Sequence, residues 1–505
     1  MEPVSASLDK PSLALSALAR FYGTPLEQEL GRHLTESPEA AALALFRSVA
    51  REVPAYQAFL RDAGHPPERA ADVTRLVEAP IATKDNYHRR HALAALCRGG
   101  KLAGCDMLAV SSGSTGEPAI WPRFVSDELG TAFRFEQVMR DAFFAHERRT
   151  LAVICFALGS WVGGMYTTAC LRHVAAKGYP ITLVTPGNQK AEILRSLRAL
   201  GPSFEQVVLC GYPPFLKDLI DSGRADGFDW QAQPVKLVMA GEVFSEEWRS
   251  VVCDRLGARA PELATASLYG TADGGVLATE TPLSILLRRQ LARAPELARQ
   301  LFGESRLPTL CQYDPLHRYF EAAHGELLFS GDGGIPLVRY KILDRGGVHG
   351  FGDFTSQLGS AAVAARSSLA ERGVPGRQLP FVHVFGRSSF ALSFYGANVY
   401  PENVAVGIEQ PALLAALSGK FVMEIEHDAD QNPSLRLTVE LLPGQAPADA
   451  LAVDVAASVR RELERLNSEF KSYAPPERRL PRVRLLPHAD PDYFPVGVKH
   501  RYTRT

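Results

Sequence analysis

LAVICFALGSWVGGMYTTACLRHVAAKGYPITLVTPG, residues 151–187, decides the fold. It opens on a short apolar run, passes through a stretch with helical spacing and returns to a second apolar run, ITLVTPG. The pattern recurs in EQVVLCG (205–211) and VKLVMAG (235–241), each again followed by helical spacing. Strands buried on both faces read as continuous apolar runs. Their alternation with helices predicts an α/β architecture of mostly parallel strands and crossover helices. Ligands of such sheets gather beyond the carboxyl ends of the strands. Three polar or glycine-rich segments fall at such ends: VSSGSTGEP (110–118) after the apolar run MLAV, MAGEVFSEE (239–247) and LYGTADGG (268–275).

The first of these has a chemistry of its own. Ser111, Ser112, Gly113, Ser114, Thr115 and Gly116 carry so few side-chain atoms that their backbone N–H groups can fold around phosphate oxygens, and the hydroxyls add donors. This makes the segment a candidate triphosphate cradle. It lacks the Gly-Lys-Ser/Thr ending of a Walker loop, so an ordinary P-loop is excluded. Read on its own, the segment could equally be a solvated Ser/Gly turn.

Bulk properties narrow the field. The 505 residues allow more than one domain, and a formal charge of −1 gives no global field for nucleic acid or an anionic membrane surface. No run approaches the roughly 18 apolar residues of a membrane span, and the amino terminus lacks the signature of a signal peptide, so a cytoplasmic location is expected. The seven cysteines are scattered in apolar contexts such as VICFAL, where a thiol behaves as a small hydrophobe.

Texture divides the chain. The first hundred residues carry helical periodicity, as in ESPEAAALALFRSVAREVPAYQAFLRDAG (36–64), with Ser37 and Pro38 as cap and first helical residue. They read as helical support for a large domain spanning 1–386. Beyond it, FALSFYGANVY, KFVMEIEHD and SLRLTVELLPG read as strands, and ADALAVDVAASVRRELERLNSEFK (448–471) as one amphipathic helix. Residues 387–505 are thus expected to form a small α+β domain.

Further segments follow the phosphate loop in order: AGE (240–242), YGTADGG (269–275), VRYKILDRGG (338–347), FGRSSFALSFYGANVYPENV (385–404) and the ending PVGVKHRYTRT (495–505). Together with the loop they resemble the adenylate-forming superfamily, its phenylacetate-CoA ligase branch in particular, over most of residues 105–505. The resemblance implies a large adenylation domain and a small mobile lid. It also implies an ATP-dependent acid-thiol ligase that makes an acyl-AMP and passes an aryl or apolar acyl group to CoA. Relatives with the same machinery hand the acyl group to an amine or a carrier-protein thiol, and that alternative stays open.

Residue roles follow from the same resemblance. Ser111 to Gly116 would cradle the β and γ phosphates, and Asp273 would ligate Mg2+. Gly241, Glu242, Tyr269, Gly270 and Thr271 would flank the nucleotide, with Tyr269 beside the adenine and Gly241 leaving room for it. Asp344 would accept from the ribose hydroxyls with Arg387 assisting, and Lys499 would bridge the carboxylate and the α-phosphate. Phe156, Trp161, Met165 and Tyr166 would border the acid, as core residues would also explain. Members of that superfamily often form homodimers, and the sequence itself does not fix the oligomeric state. The chain departs from the family pattern at Asp273, usually Glu, at Ala272, usually Ser or Thr, at Ala119, often Lys, and at Ser389, usually the hinge Asp.

Overall fold

The computed structural model describes residues 10–102, 105–110, 119–159, 162–241, 243–304, 307–387, 392–394, 397–427, 433–467, 470–471, 474, 476–496 and 500–504, with only the backbone at Val110, Val162, Pro214, Arg387, Ser393, Ala397, Asn398, His427 and Pro433. Helices α1 (Lys10–Gly23), α2 (Leu26–Gly31), α3 (Pro38–Glu52) and α4 (Pro54–Asp62) come first. Ser37 caps α3 by accepting the Ala40 N–H at 3.3 Å. The periodicity continues into α4, but the helix breaks at Val53: Pro54 has no N–H to donate and holds Val53 extended, at φ −109° and ψ 108°. Phe46, Val49, Tyr56 and Tyr87 bury themselves in one core with Trp121, Phe329 and Tyr340. The first hundred residues are therefore packed onto the body of the molecule.

A hairpin of β1 (Met107–Val110) and β2 (Ile120–Arg123) leads into α5 (Val125–Gln137). The expected alternation follows. It comprises β3 (Thr150–Ile154), α6 (Val162–Ala176), β4 (Ile181–Val184), α7 (Lys190–Leu200), β5 (Gln206–Gly211), α8 (Pro213–Ala225), β6 (Val235–Ala240), α9 (Glu246–Arg255) and β7 (Thr265–Thr271). The strands run parallel in the order β4-β3-β5-β6-β7. Alternate side chains serve opposite faces: Ala152 and Ile154 pack with α5 and α6, whereas Leu151 and Val153 pack with α7, α8 and α9.

Past β7 the sheet changes character. It continues through β8 (Gly275–Thr279), α10 (Pro282–Ala292), α11 (Pro295–Phe302), β9 (Thr309–Gln312), β10 (Tyr319–Ala323), β11 (Glu326–Gly331), β12 (Leu337–His349), α12 (Phe351–Leu358), α13 (Ser360–Glu371) and β13 (Phe381–Arg387). These strands extend the same sheet antiparallel, in the order β7-β8-β9-β13-β12-β11-β10. The parallel strands read from the sequence are thus one half of an eleven-stranded mixed sheet. Short turns such as Ala323–Glu326 leave no room for a crossover helix and make β7–β8, β10–β11 and β11–β12 hairpins, whereas β8–β9 and β12–β13 pair antiparallel across helical connections.

The chain then forms β14 (Leu392–Phe394), β15 (Ala397–Val399), α14 (Pro401–Ile408), β16 (Leu417–His427), β17 (Pro433–Leu441), α15 (Asp449–Leu466) and β18 (Arg482–Leu486). Their core is their own, with Phe394, Val404, Phe421, Leu437, Val459 and Phe470 at its centre. Gly407 lets α14 and α15 touch: a Cβ there would sit 2.5 Å from the Val459 Cα. This region docks on the helices behind the parallel strands. Lys217 of α8 donates to the Leu417 carbonyl at 3.0 Å, Arg255 to that of Leu414 at 3.0 Å, and Ser245 to the Glu409 carboxylate at 2.5 Å.

Candidate active site

The turn between β7 and β8 holds the first group. Thr271 Oγ1 accepts the Gly274 N–H at 3.0 Å, and Gly275 turns the chain with φ +70°, a conformation that costs glycine little. A Cβ on Gly274 would meet Leu277 and Phe329 within 2.7 Å, so the turn is closely packed. Asp273 sits at its tip, only 7% exposed. Its Oδ2 accepts the Tyr340 hydroxyl at 2.7 Å, and Lys84 Nζ lies 3.8 Å from its Oδ1. The turn closes a strand hairpin, so Asp273 does not cap a helix.

Arg123 connects this turn to the serine-rich segment. It ends β2, and Val110 and Ile120, which flank residues 111–119, pair with each other in the hairpin. From there Arg123 Nη1 donates to the Asp273 carbonyl at 3.4 Å, and Nη2 donates to the Ala272 carbonyl. Arg318 reaches the third carbonyl of the turn, that of Gly274, at 2.9 Å. Trp121 stands beside Lys84, whose ammonium is 5.7 Å from the indole centre, and stacks on His88 at 4.1 Å. Burial holds the His88 imidazole below its usual range, so among the described residues Lys84 is the cation paired with the Asp273 carboxylate. Asp127, accepting the Gly334 N–H at 2.8 Å, is pushed up to about 6 by its burial.

A second group lies at the end of β7. Tyr269 donates its hydroxyl to Asp344 Oδ2 at 2.7 Å and stacks its ring on Phe320 at 6.2 Å. Asp344 is 5% exposed and faces Arg387 across the β12–β13 ladder. The ladder shifts register between Arg345 and Gly346, and Leu343 adopts φ +66°, a strained conformation for a side chain of its size. Gly241, at φ +84°, closes β6 on the same edge. The space that its missing side chain leaves is taken by the Tyr212 ring, 2.9 Å from where a Cβ would stand.

The expected acid wall is divided. Phe156 and Tyr166 are buried in the core, Phe156 edge-on to Tyr212 at 5.0 Å and Tyr166 bonded through its hydroxyl to Thr131 at 3.1 Å, whereas Met165 is 41% exposed. Core packing accounts for the first two. Trp161, residues Ser111 to Gly116, Glu242, Ser389 and Lys499 lie outside the described residues, and the side chain of Arg387 does too. The basic ending is anchored at His500 and Thr503. His500 meets the Phe421 carbonyl at 2.7 Å, burial lowers it to about 4, and Thr503 bridges to Met423 on β16. Three residues outside the motif segments stand in the site, Lys84, Arg123 and Arg318, and Tyr340, which lies within VRYKILDRGG, joins them without having been given a role. Lys84 carries no local signal, since it owes its place to tertiary packing. Arg123 could have been suspected as a buried charge next to the loop. Among the described residues no group of three metal-ligating side chains assembles.

No protein-family model matches the sequence, and comparison with curated proteins finds no match. Solved structures do match. 2-Hydroxyisobutyryl-CoA ligase in the postadenylation state with 2-HIB-AMP superposes with a TM-score of 0.64 at 13% identity, over 92% of this chain and 89% of that one. The same ligase and state with R3-HIB-AMP gives 0.63 at 14% identity, again over 92% and 89%. With 2-HIB-AMP and CoA in the thioesterification state it gives 0.51 at 14% identity, over 92% and 89%. The likeness establishes the fold, a large α/β body with a smaller α+β region, as the sequence resemblance implied.

Proposed function

We propose that this chain is an ATP-dependent carboxylic acid ligase that forms an acyl-AMP and passes an aryl or apolar acyl group to CoA. The observation that carries the reading is the Tyr269–Asp344 hydrogen bond at 2.7 Å, which joins an aromatic ring and a carboxylate at the strand ends, in a fold shared with a ligase solved with acyl-AMP. An aromatic edge for a base and a carboxylate for sugar hydroxyls are what a nucleoside requires. The proposed units are residues 1–386 and 387–505.

Magnesium fits as a guest of the nucleotide. Asp273 offers one carboxylate with Oδ2 engaged by Tyr340, and Mg2+ is commonly held by one or two carboxylates together with substrate phosphates and water. When bound it neutralises phosphate charge. In the first step a carboxylate oxygen of the acid bonds to the α-phosphorus of ATP, the bond to the bridging oxygen breaks, and pyrophosphate leaves. Asp344 and Tyr269 fix the nucleoside, so the α-phosphorus faces the acid. Residues 111–116 cradle the β and γ phosphates, Lys84 adds positive charge at the Asp273 edge, and Lys499 meets charge growing on the transferred phosphorus. In the second step a thiol adds to the acyl carbonyl carbon and AMP leaves; an amine would do the same. The test is product analysis by mass spectrometry: the chain is incubated with ATP, an acid panel and either CoA or amines, beside Lys499→Ala. An acyl-CoA formed only with intact Lys499 supports the proposal. An amide without thioester would replace CoA by an amine, and an unchanged product yield from Lys499→Ala would remove the catalytic role of that lysine.

A further inference from the structure

We propose that Arg123 and Arg318 are positioning residues, a two-guanidinium clamp that holds the 272–274 turn and so fixes where Asp273 presents its carboxylate. The inference rests on the ligase reading above. Its basis is an unusual use of charge. Arg123 and Arg318 are 4% and 3% exposed, and among the described residues neither forms an ion pair with a carboxylate. Burying a guanidinium without a direct carboxylate partner is costly, and lost solvation lowers the Arg318 guanidinium from its ordinary value although nearby Tyr166, Asp127 and Asp332 partly offset it. What the two obtain instead is backbone: Arg123 takes the carbonyls of Ala272 and Asp273, and Arg318 takes those of Gly274, His317 and Asp332. All three successive carbonyls of a three-residue turn are thereby bound to side chains from outside the hairpin. The Nε of each arginine is buried without a hydrogen-bond partner, so hydrogen-bond saturation of the arginines does not explain the arrangement.

The clamp answers a specific need. Asp273 is one methylene shorter than the Glu of the family pattern, so its reach depends on the depth of its own backbone. Ala272 has no hydroxyl to assist. Tyr340 holds Oδ2 from one side and the arginines hold the main chain from the other, leaving Oδ1 directed toward Lys84. Arg123 also belongs to the strand that follows the serine-rich segment, so the same side chain ties the phosphate loop's exit to the metal carboxylate.

The test uses the full chain and a readout independent of turnover. Mn2+-dependent ATP binding, followed by electron paramagnetic resonance of Mn2+, is compared in wild type, Arg123→Gln, Arg123→Lys, Arg318→Gln and Asp273→Ala. ATP binding without metal and thermal melting run in parallel. Groups that orient a metal ligand typically change metal affinity by about 10- to 100-fold when removed. The clamp predicts a loss of about that size in the Mn2+-dependent component for both Gln variants, toward the level of Asp273→Ala, with metal-free ATP binding retained. Arg123→Lys, which keeps one donor and the charge, restores part. If folded Gln variants bind Mn2+ with ATP as wild type does, or lose metal-free and metal-dependent binding alike, the clamp is refuted while the ligase reading stands. If wild type binds no ATP with or without metal, the ligase reading falls and the clamp falls with it. Should the Gln variants not fold, wild-type Mn2+ affinity in Arg123→Lys refutes the proposal and partial loss sustains it.

Discussion

Tyr269 and Asp344 are 75 residues apart in sequence and 2.7 Å apart in space. Removing only the hydroxyl, Tyr269→Phe, keeps the ring on Phe320 and takes the Tyr269 hydrogen bond from Asp344. A hydrogen bond to a charged group contributes about 1.5–3 kcal/mol, so KM for ATP should rise about 10- to 100-fold with a smaller change in kcat. A steady-state series in ATP checks this; a fall in kcat at constant KM would place Tyr269 elsewhere in the reaction. Lys84→Ala should act the other way, lowering kcat by about a hundredfold, because a cation beside leaving phosphates acts mainly in the transition state. Pyrophosphate release at saturating ATP measures it, and an unchanged kcat would leave Lys84 as a partner of Asp273 only. Tyr269, Asp273 and Asp344 could be singled out in sequence because each sits in a short motif of the resemblance, and the structure brings Tyr269 and Asp344 together. Lys84 was not: APIATKDNYHRR is an ordinary basic stretch, and only the packing of Tyr87 and Trp121 into one core brings it to Asp273.

At the level of elements, the four parallel-strand runs were readable because burial on both faces writes an unbroken apolar word. The antiparallel half was not, since β10 to β13 alternate irregularly and take their register from partners far along the chain. The helical periodicity of residues 36–64 was readable, and the break at Pro54 follows from the proline alone. Phe46 of α3 is 1% exposed in the core that also holds Tyr87 and Trp121. Phe46→Ala should destabilise the chain by about 3–5 kcal/mol through the lost burial and the cavity. Urea unfolding checks this, and a change below about 1 kcal/mol would mean that α3 is not part of the body's core. Gly407→Ala places a Cβ 2.5 Å from the Val459 Cα and should separate α14 from α15, lowering the stability of the carboxyl-terminal region. Hydrogen exchange confined to that region would show it; uniform protection in both forms would contradict it.

Across the whole molecule, polar contacts join the body to the carboxyl-terminal region, some buried and some part-buried. Rotation of that region, which the resemblance implies, would strip Lys217 of Leu417, Arg255 of Leu414 and Ser245 of Glu409. Glu409 gives this docking a pH dependence. Lost solvation pushes it up to about 7, with Glu247 also raising it and Ser245 and Lys217 lowering it. The folded chain keeps this proton where the unfolded chain, with a carboxyl near about 4.3, has released it. The contribution to stability is therefore complete below about pH 4 and is lost as the pH rises through about 7. Glu409→Gln should flatten the decline in melting temperature between about pH 4 and about pH 7; an identical decline in both proteins would exclude Glu409 as its source. The central claim, that this fold activates an acid as its adenylate, is tested most directly by acid-dependent pyrophosphate release with ATP and Mg2+ over aryl, heteroaryl and fatty acids. The account predicts release that requires an acid and falls sharply in Asp344→Ala and Lys499→Ala. Measurable ATP binding with no release from any acid on the panel would contradict it.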